Sequence, residues 1–206
     1  MGFEKKAAID FAAARPQLLK MKGISEKNVL EHLKLYNGYV NKYNEIMEKI
    51  AAMSDADVKA GNGTYAAIRE LKVELTFAMG GVKNHEVYFA NLGGAGGKPS
   101  GALMEQVQKD FGTYERLEAE LRGAAMSARG WAHLAYDTEF KRLFVYVGDA
   151  QNTFPVWNNA PLLALDTYEH AYYLDYQTAR APYLDAFFAN LDWKDVEARF
   201  AAAKKM

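Results

Sequence analysis

The residues best able to do chemistry in this 206-residue chain are its four histidines and one aspartate. Asp166 precedes His170 by four residues, where a predicted strand gives way to a predicted helix, and such a junction can aim both side chains at one point. His32 and His85 each lie within a long helical pattern, whereas His133 falls on a predicted strand without a carboxylate or a second histidine beside it. Taken singly, each histidine is more often a packed or surface residue than a metal ligand.

Taken together, four of these residues would form a metal-binding set. If two long helices each direct one histidine inward, His32, His85, Asp166 and His170 offer three imidazoles and one carboxylate. This set leaves a coordination position open and suits a redox-active first-row metal such as manganese or iron. Zinc in a catalytic site with three protein ligands is the generic competitor. The chain has no cysteine, so any metal must be bound through nitrogen and oxygen.

The apolar pattern of the first half predicts a long helical hairpin. Apolar residues recur at three- and four-residue steps over 24–53 and again over 64–92. Gly80 and Gly81 lie inside the second pattern, where a glycine pair predicts either a kink or a close packing requirement. GGAGGKPSG at 93–101 is the strongest linker signal in the chain.

The second half has a mixed character. Helical patterns cover 101–111 and 113–128, and three strands of a small antiparallel sheet are then predicted for GWAHLAYD, RLFVYVGD and PLLALD. Helical patterns return over 169–180, 182–191 and 192–203. We therefore expect an α+β fold with a helical hairpin domain at 1–97, an α+β domain at 98–206 and the metal site between them.

Composition excludes several functional classes. Half of the residues are hydrophobic, which indicates a globular protein, and the formal charge of -1 with no basic block argues against nucleic acid as a partner. No apolar run approaches the roughly 20 residues that a membrane span needs. The N-terminal segment lacks the apolar core of a secretory signal, so a cytoplasmic location is expected.

The segments that carry the candidate ligands resemble the iron/manganese superoxide dismutase family. The family's hallmark, D-x-W-E-H-A-Y-Y, is similar to DTYEHAYY at 166–173, which departs at one aromatic residue. NHEVYFANLGG is similar to the family's N-H-x-F-Y-W-N segment, and GISEKNVLEH is similar to the helix that carries its first ligand. The resemblance covers roughly residues 22–203 and keeps the order of every element.

The resemblance implies a metal-dependent enzyme that converts superoxide to dioxygen and hydrogen peroxide. It implies one manganese or iron ion per subunit, with solvent as a fifth ligand, bound by His32, His85, Asp166 and His170. In the family's iron enzymes, a glutamine four residues before the second histidine contacts the bound solvent. In its manganese enzymes that place is glycine, and the glutamine comes from the sheet region. Gly81 and Gln151 stand at these two places, so manganese is favoured.

One departure from the family pattern affects the catalytic tyrosine. The family follows its first ligand with G-K-H-H-x-x-Y-V, whereas this chain is one residue shorter and lacks the histidine at the substrate gateway. Tyr39 aligns with the family's active-site tyrosine when counted back from Val40. Tyr36 lies one helical turn past His32, on the same face. Both are candidates, and a helix bulge would decide between them.

The missing gateway histidine also motivates an alternative function. The chain could be a family member that binds metal and has weak or lost dismutase activity. A zinc hydrolase on the same ligands has little support, because no general base accompanies the site.

Two further residues point to self-association. In the family, the glutamate at the place of Glu169 reaches the ligand histidine of the neighbouring subunit. The tyrosine at the place of Tyr173 normally bonds the gateway histidine across the same interface. The resemblance therefore implies a homodimer, or a dimer of dimers, with a rebuilt contact at Tyr173.

Overall fold

The computed structural model describes residues 3–153 and 156–206. Two long antiparallel helices dominate its first half, and the side chain of Ser25 caps the first of them by accepting a hydrogen bond from the backbone N–H of Asn28. After an extended start, the helices of this half are α1 (Phe11–Ala14), a 3-10 helix (Pro16–Lys20), α2 (Glu26–Ala52), α3 (Asp55–Lys59) and α4 (Ala67–Ala90).

The second half is a small sheet covered by helices. Strand β1 is central and pairs antiparallel with both neighbours, in the order β2-β1-β3. The elements are α5 (Gly101–Phe111), α6 (Tyr114–Ser127), β1 (Trp131–Asp137), β2 (Arg142–Gly148), β3 (Asn159–Asp166), a 3-10 turn (Glu169–Ala171), α7 (Tyr173–Tyr176), α8 (Arg180–Ala189) and α9 (Trp193–Ala203). The predicted α+β fold with a helical hairpin and a three-stranded sheet is confirmed.

One continuous hydrophobic core joins the two halves. The inward stripe of α2 includes Val29, Leu33 and Val40, at the three- and four-residue spacing of an amphipathic helix. These side chains belong to the same buried cluster as the sheet residues Leu134 and Leu163. The core thus fixes the hairpin against the sheet.

Asn91, at the end of α4, fastens the hairpin to β3. Its fully buried side chain donates from Nδ2 to the carbonyl of Leu162 (3.2 Å) and accepts at Oδ1 from the N–H of Ala164 (3.0 Å). Among the described strands, β3 pairs with β1 alone, so these bonds satisfy backbone groups of an edge strand. They also fix the position of β3, the strand that ends at Asp166, relative to α4.

The glycine-rich segment is docked against the rest of the chain. The N–H groups of Gly94 and Gly96 donate to the carbonyls of Asn190 (2.9 Å) and Leu191 (3.1 Å). The linker composition therefore marks a tight, packed crossing between the two halves. The division into two domains at residue 97 stays a prediction.

Two helical predictions are refined by the structure. Helix α4 runs unbroken through Gly80 and Gly81, and the glycine pair meets a packing requirement, because a Cβ at either position would collide with Gln151 or Tyr39. The helical pattern predicted over 169–180 is present only as a 3-10 turn and a short helix. Tyr172 leaves helical geometry between the 3-10 turn and α7, and Gln177 ends α7 with φ of 48°. Among the described residues, no helix is long and apolar enough to cross a membrane.

Candidate metal centre

Four elements bring the predicted ligands to one point. His32 comes from α2, His85 from α4, Asp166 from the end of β3, and His170 from the 3-10 turn that follows. One potential ligand atom from each residue lies within 4.8 Å of all the others. The spacing is that of donor atoms around a single ion.

All three imidazoles turn the same nitrogen toward the Asp166 carboxylate. The Nε2 atoms of His32 and His170 are each 3.1 Å from Asp166 Oδ2, and that of His85 is 3.6 Å away. The other carboxylate oxygen, Oδ1, accepts a hydrogen bond from the backbone N–H of Tyr168 (2.9 Å). Oδ1 is thus engaged by the backbone, and Oδ2 faces the three nitrogens.

Burial and mutual charge set the protonation of this cluster. Burial lowers the pKa of His32, and it lowers the pKa of His85 to about 3. Burial would raise the pKa of Asp166, but the charge and hydrogen bond of His170, with the hydrogen bond from His32, hold this pKa well below its usual range. Burial also opposes a charge on His170, yet the Asp166 carboxylate outweighs it and raises the pKa of His170. Of the three imidazoles, His170 is therefore the one that holds a proton most strongly.

The geometry of His85 fits a metal ligand. Its Nδ1 lies 2.5 Å from the carbonyl oxygen of Gly81, one helical turn earlier, which makes Nδ1–H the donor and leaves Nε2 as the atom with a free lone pair. This Nε2 is buried and has no hydrogen-bond partner among the described residues. A buried nitrogen without a partner is costly, and an ion at the centre of the cluster would satisfy it.

Tyr39 and Gln151 lie beside the cluster and contact each other. Gln151 Nε2 donates to the Tyr39 hydroxyl (3.3 Å), and the Tyr39 ring lies 5.4 Å from that of His85. His32 and Tyr39 are seven residues apart, which is close to two turns of a regular helix, so both face the same way without a bulge. α2 is α-helical throughout its length. The seven-residue spacing between His32 and Tyr39 thus places the Tyr39 ring beside the metal cluster.

The structure places Tyr36 elsewhere. Its buried hydroxyl accepts a hydrogen bond from the N–H of Ile9 (3.1 Å) and donates to Glu86 Oε1 (3.2 Å). Lys6 completes this cluster through an ion pair with Glu86 at 2.6 Å. Tyr36 therefore holds the N-terminal segment against the hairpin, and Tyr39, rather than Tyr36, meets Gln151.

The remaining predicted residues lie at the edge of the site or outside it. The side chains of Glu169 and Tyr173 are exposed on the single chain, beside the partly exposed His170. His133 is buried in β1 between the rings of Trp131 and Tyr146 and is not among the four clustered ligands.

Trp131 was missed as a site residue. Its Nε1 donates to Gln151 Oε1 (3.1 Å), and its ring lies 5.1 Å from that of His85. This bond fixes which way the Gln151 amide faces, so that Nε2 points to Tyr39. The period-two pattern of β1 could have shown that Trp131 shares a face with His133, but not that this face meets residue 151.

A nitrogen and oxygen donor set built from a helical hairpin and a small sheet defines a protein that binds a transition-metal ion. Comparison with known proteins agrees. A family model described as iron/manganese superoxide dismutases, C-terminal domain, matches residues 99–199. The chain is 46% identical to "Superoxide dismutase [Fe]" of Aquifex pyrophilus over 193 residues, which cover 93% of this chain and 90% of the relative. It is 34% identical to "Superoxide dismutase [Mn]" of Mycolicibacterium fortuitum, over 94% of this chain and 90% of the relative. The chain belongs to the iron/manganese superoxide dismutase family.

Metal uptake should release a proton. Because Asp166 raises the pKa of His170, this imidazole is protonated below that raised pKa and must lose its proton to bind an ion. Adding Mn²⁺ to the metal-free protein at pH ~6.5 should release protons, and affinity should fall as the pH falls. Titration calorimetry in two buffers with different protonation enthalpies measures the number released. Heats that do not depend on the buffer would contradict the protonation assigned to His170.

Proposed function

We propose that this protein is a superoxide dismutase that binds one manganese or iron ion per chain. The observation that carries the proposal is the convergence of His32, His85, Asp166 and His170 on one point. It occurs in a chain whose relatives named superoxide dismutase match it over most of its length.

The charge of the donor set suits this reaction. Three neutral imidazoles and one carboxylate carry one negative charge, which leaves a bound divalent or trivalent ion with a net positive charge. Superoxide is an anion, so it is attracted to such a centre. When bound, the ion supplies the one-electron chemistry that oxidises one superoxide to dioxygen and reduces the next to hydrogen peroxide.

The chain's own residues would manage the protons. Two protons are needed for each hydrogen peroxide, and Tyr39, whose ring lies beside His85, carries a hydroxyl group that can supply one. Burial raises the pKa of Tyr39, so it keeps its proton at neutral pH and can donate it. Gln151 holds this hydroxyl through Nε2, and Trp131 holds Gln151 through Oε1. We propose that these three residues form the proton-delivering side of the site.

We further propose that manganese gives the more active form. The support is the pair of Gly81 on α4 and Gln151 after β2, which follows the manganese arrangement. A side chain at position 81 has no room, because a Cβ there would come within 2.5 Å of the Tyr39 ring. The more similar of the two relatives quoted above carries iron in its name, so a direct comparison of the two metals is the decisive experiment.

Metal-free protein should be loaded separately with manganese and with iron, and dismutation measured per bound ion. We expect superoxide turnover with manganese to exceed that with iron. His85→Phe should lose the ion, whereas His133→Phe, a change at a buried histidine outside the cluster, should retain it. Higher turnover with iron would reverse the choice of metal. Full metal content without turnover would instead establish the alternative, a metal-binding protein that has lost dismutase activity.

Matched substitutions should separate the two tyrosines. Tyr39→Phe removes the hydroxyl that Gln151 contacts, so turnover should fall on the order of 10²-fold, as for loss of a proton donor, with metal content unchanged. Tyr36→Phe removes the bonds to Ile9 and Glu86, so it should cost about 1 kcal/mol of unfolding free energy and leave turnover per ion intact. Fast superoxide turnover followed by stopped flow, with urea unfolding, measures both. The assignment is wrong if the two phenotypes are exchanged.

We also propose that two chains associate through the surface beside His170. Glu169 and Tyr173 are exposed there, and Leu174 next to them is 46% exposed. Aromatic residues are enriched at interface cores, and a carboxylate that accepts the free ring N–H of a metal-bound histidine fixes the orientation of that ring. A Glu169 carboxylate that crosses the interface could accept the remaining N–H of the partner's His170.

Removal of the Glu169 carboxylate tests this assembly. Glu169→Ala should lower metal affinity by ~10–100-fold or shift the chain toward monomer. Glu105→Ala, at another exposed glutamate, should do neither. Analytical ultracentrifugation and competitive metal titration give the two readouts. If Glu169→Ala remains dimeric and fully metallated, the carboxylate is only a surface acid.

A further inference from the structure

A stripe of three residues on α4 contacts the loop that carries Gln151. Thr76, Gly80 and Asn84 are four residues apart, so they share one face of the helix. Asn152 Nδ2 donates to Thr76 Oγ1 (2.8 Å), and Asn84 Nδ2 reaches the carbonyl oxygen of Gln151 (3.4 Å). The loop is thus bound on both sides of Gly80, through the Asn152 side chain on one side and the Gln151 carbonyl on the other.

At Gly80 itself the loop lies directly on the helix backbone. A Cβ at this position would overlap the Gln151 carbonyl oxygen and come within 2.6 Å of its carbonyl carbon. Both are backbone atoms, so no side-chain rotation relieves the overlap. The Gln151 peptide would have to withdraw by roughly 1 Å or more.

The next residue, Gly81, allows an equally close approach by Tyr39, the hydrogen-bond partner of Gln151. A Cβ there would meet the Tyr39 ring at 2.5 Å. Gln151 and Tyr39 are the two partners of the 3.3 Å hydrogen bond beside the metal cluster. Each therefore rests against bare backbone at consecutive positions of one helix, and the same helix carries His85.

Within the described part of the loop, the hydrogen bonds are local. Residues 150–153 form a turn in which Thr153 Oγ1 accepts from the N–H of Ala150 (2.7 Å) and donates to its carbonyl (3.0 Å). These bonds shape the turn but do not relate it to α4. Outside the loop, Gln151 is positioned by the stripe, by the bond that Trp131 donates and by its own bond to the Tyr39 hydroxyl.

We propose that Gly80 is a positioning residue for the dismutase reaction, and that the Thr76–Gly80–Asn84 stripe sets how deeply the Gln151 amide enters the metal cavity. This inference rests on the proposed function. A side chain at 80 pushes Gln151 away from α4, and so away from Tyr39. An amide N–H near the ion stabilises negatively charged ligand atoms, which a trivalent ion favours. A more distant Nε2 should therefore raise the reduction potential of the bound ion.

The test compares Gly80→Ala with Gly123→Ala, a glycine in α6 whose Cβ would meet nothing within 4 Å. In the metal-free, ¹⁵N-labelled protein, the indole proton of Trp131 reports its bond to Gln151 and is assigned with Trp131→Phe. In Gly80→Ala this resonance should shift, and its exchange with solvent should speed up about tenfold or more. In the manganese-loaded protein the potential should rise by about 59 mV or more, a tenfold change in the reduction equilibrium. Gly123→Ala should match the wild type in both.

A second variant covers the case in which Gly80→Ala does not fold. Thr76→Val, on the exposed end of the stripe, removes the acceptor for Asn152 and keeps the side-chain shape, so it should move both readouts in the same direction by a smaller amount. An unchanged Trp131 resonance and an unchanged potential in either folded variant would overturn the proposal. Wild-type turnover is measured separately, so its absence would refute the dismutase function, while the indole readout alone would still decide whether Gly80 positions Gln151.

Discussion

The structure depends on one fully buried carboxylate. Asp166 has no exposed surface, and an isolated charge in such a place would cost several kcal/mol unless other groups compensate it. Three imidazoles from α2, α4 and the 3-10 turn surround its Oδ2 atom, and the N–H of Tyr168 occupies Oδ1. The backbone carbonyl of the same residue accepts from the Tyr183 hydroxyl at 2.8 Å. The hairpin, the sheet and the C-terminal helices thus meet at Asp166. A shift of any one of them would expose the carboxylate or remove one of its polar partners.

Compensation by the protein alone is incomplete. Burial lowers the pKa of His32 and His85, the Asp166 carboxylate raises the pKa of His170, and the Nε2 atom of His85 has no hydrogen-bond partner among the described residues. Such a cluster destabilises the metal-free fold. An ion that supplies the missing positive charge and engages all four donors stabilises the folded chain relative to the unfolded chain, which has no preformed site. The polar arrangement that makes the site reactive therefore also links metal loading to stability.

Most of the fold and the four ligands could be predicted from the sequence, but few of the contacts between distant residues could. The three- and four-residue spacing of apolar residues is a local signal, and it locates α2 and α4 well. The ligand set was predicted through resemblance, since spacing alone left each histidine ambiguous. The choice between Tyr36 and Tyr39 stayed open because both lie on one helix face, and the partners that separate them, Ile9 and Gln151, are distant in the chain. The break at Tyr172 was missed for a similar reason, since the stacking of its ring on Tyr183 is a tertiary contact.

The glycine pair shows why local rules understate such positions. In isolation Gly80 and Gly81 weaken a helix, by up to about 1 kcal/mol each relative to alanine. In the folded chain they let the loop backbone and an aromatic ring approach α4 more closely than any side chain permits. Because α4 also carries His85 one turn later, the ligand and the two surfaces that seat Tyr39 and Gln151 belong to one rigid helix. The separation between the metal cluster and its hydrogen-bonding neighbours then follows from the geometry of this helix.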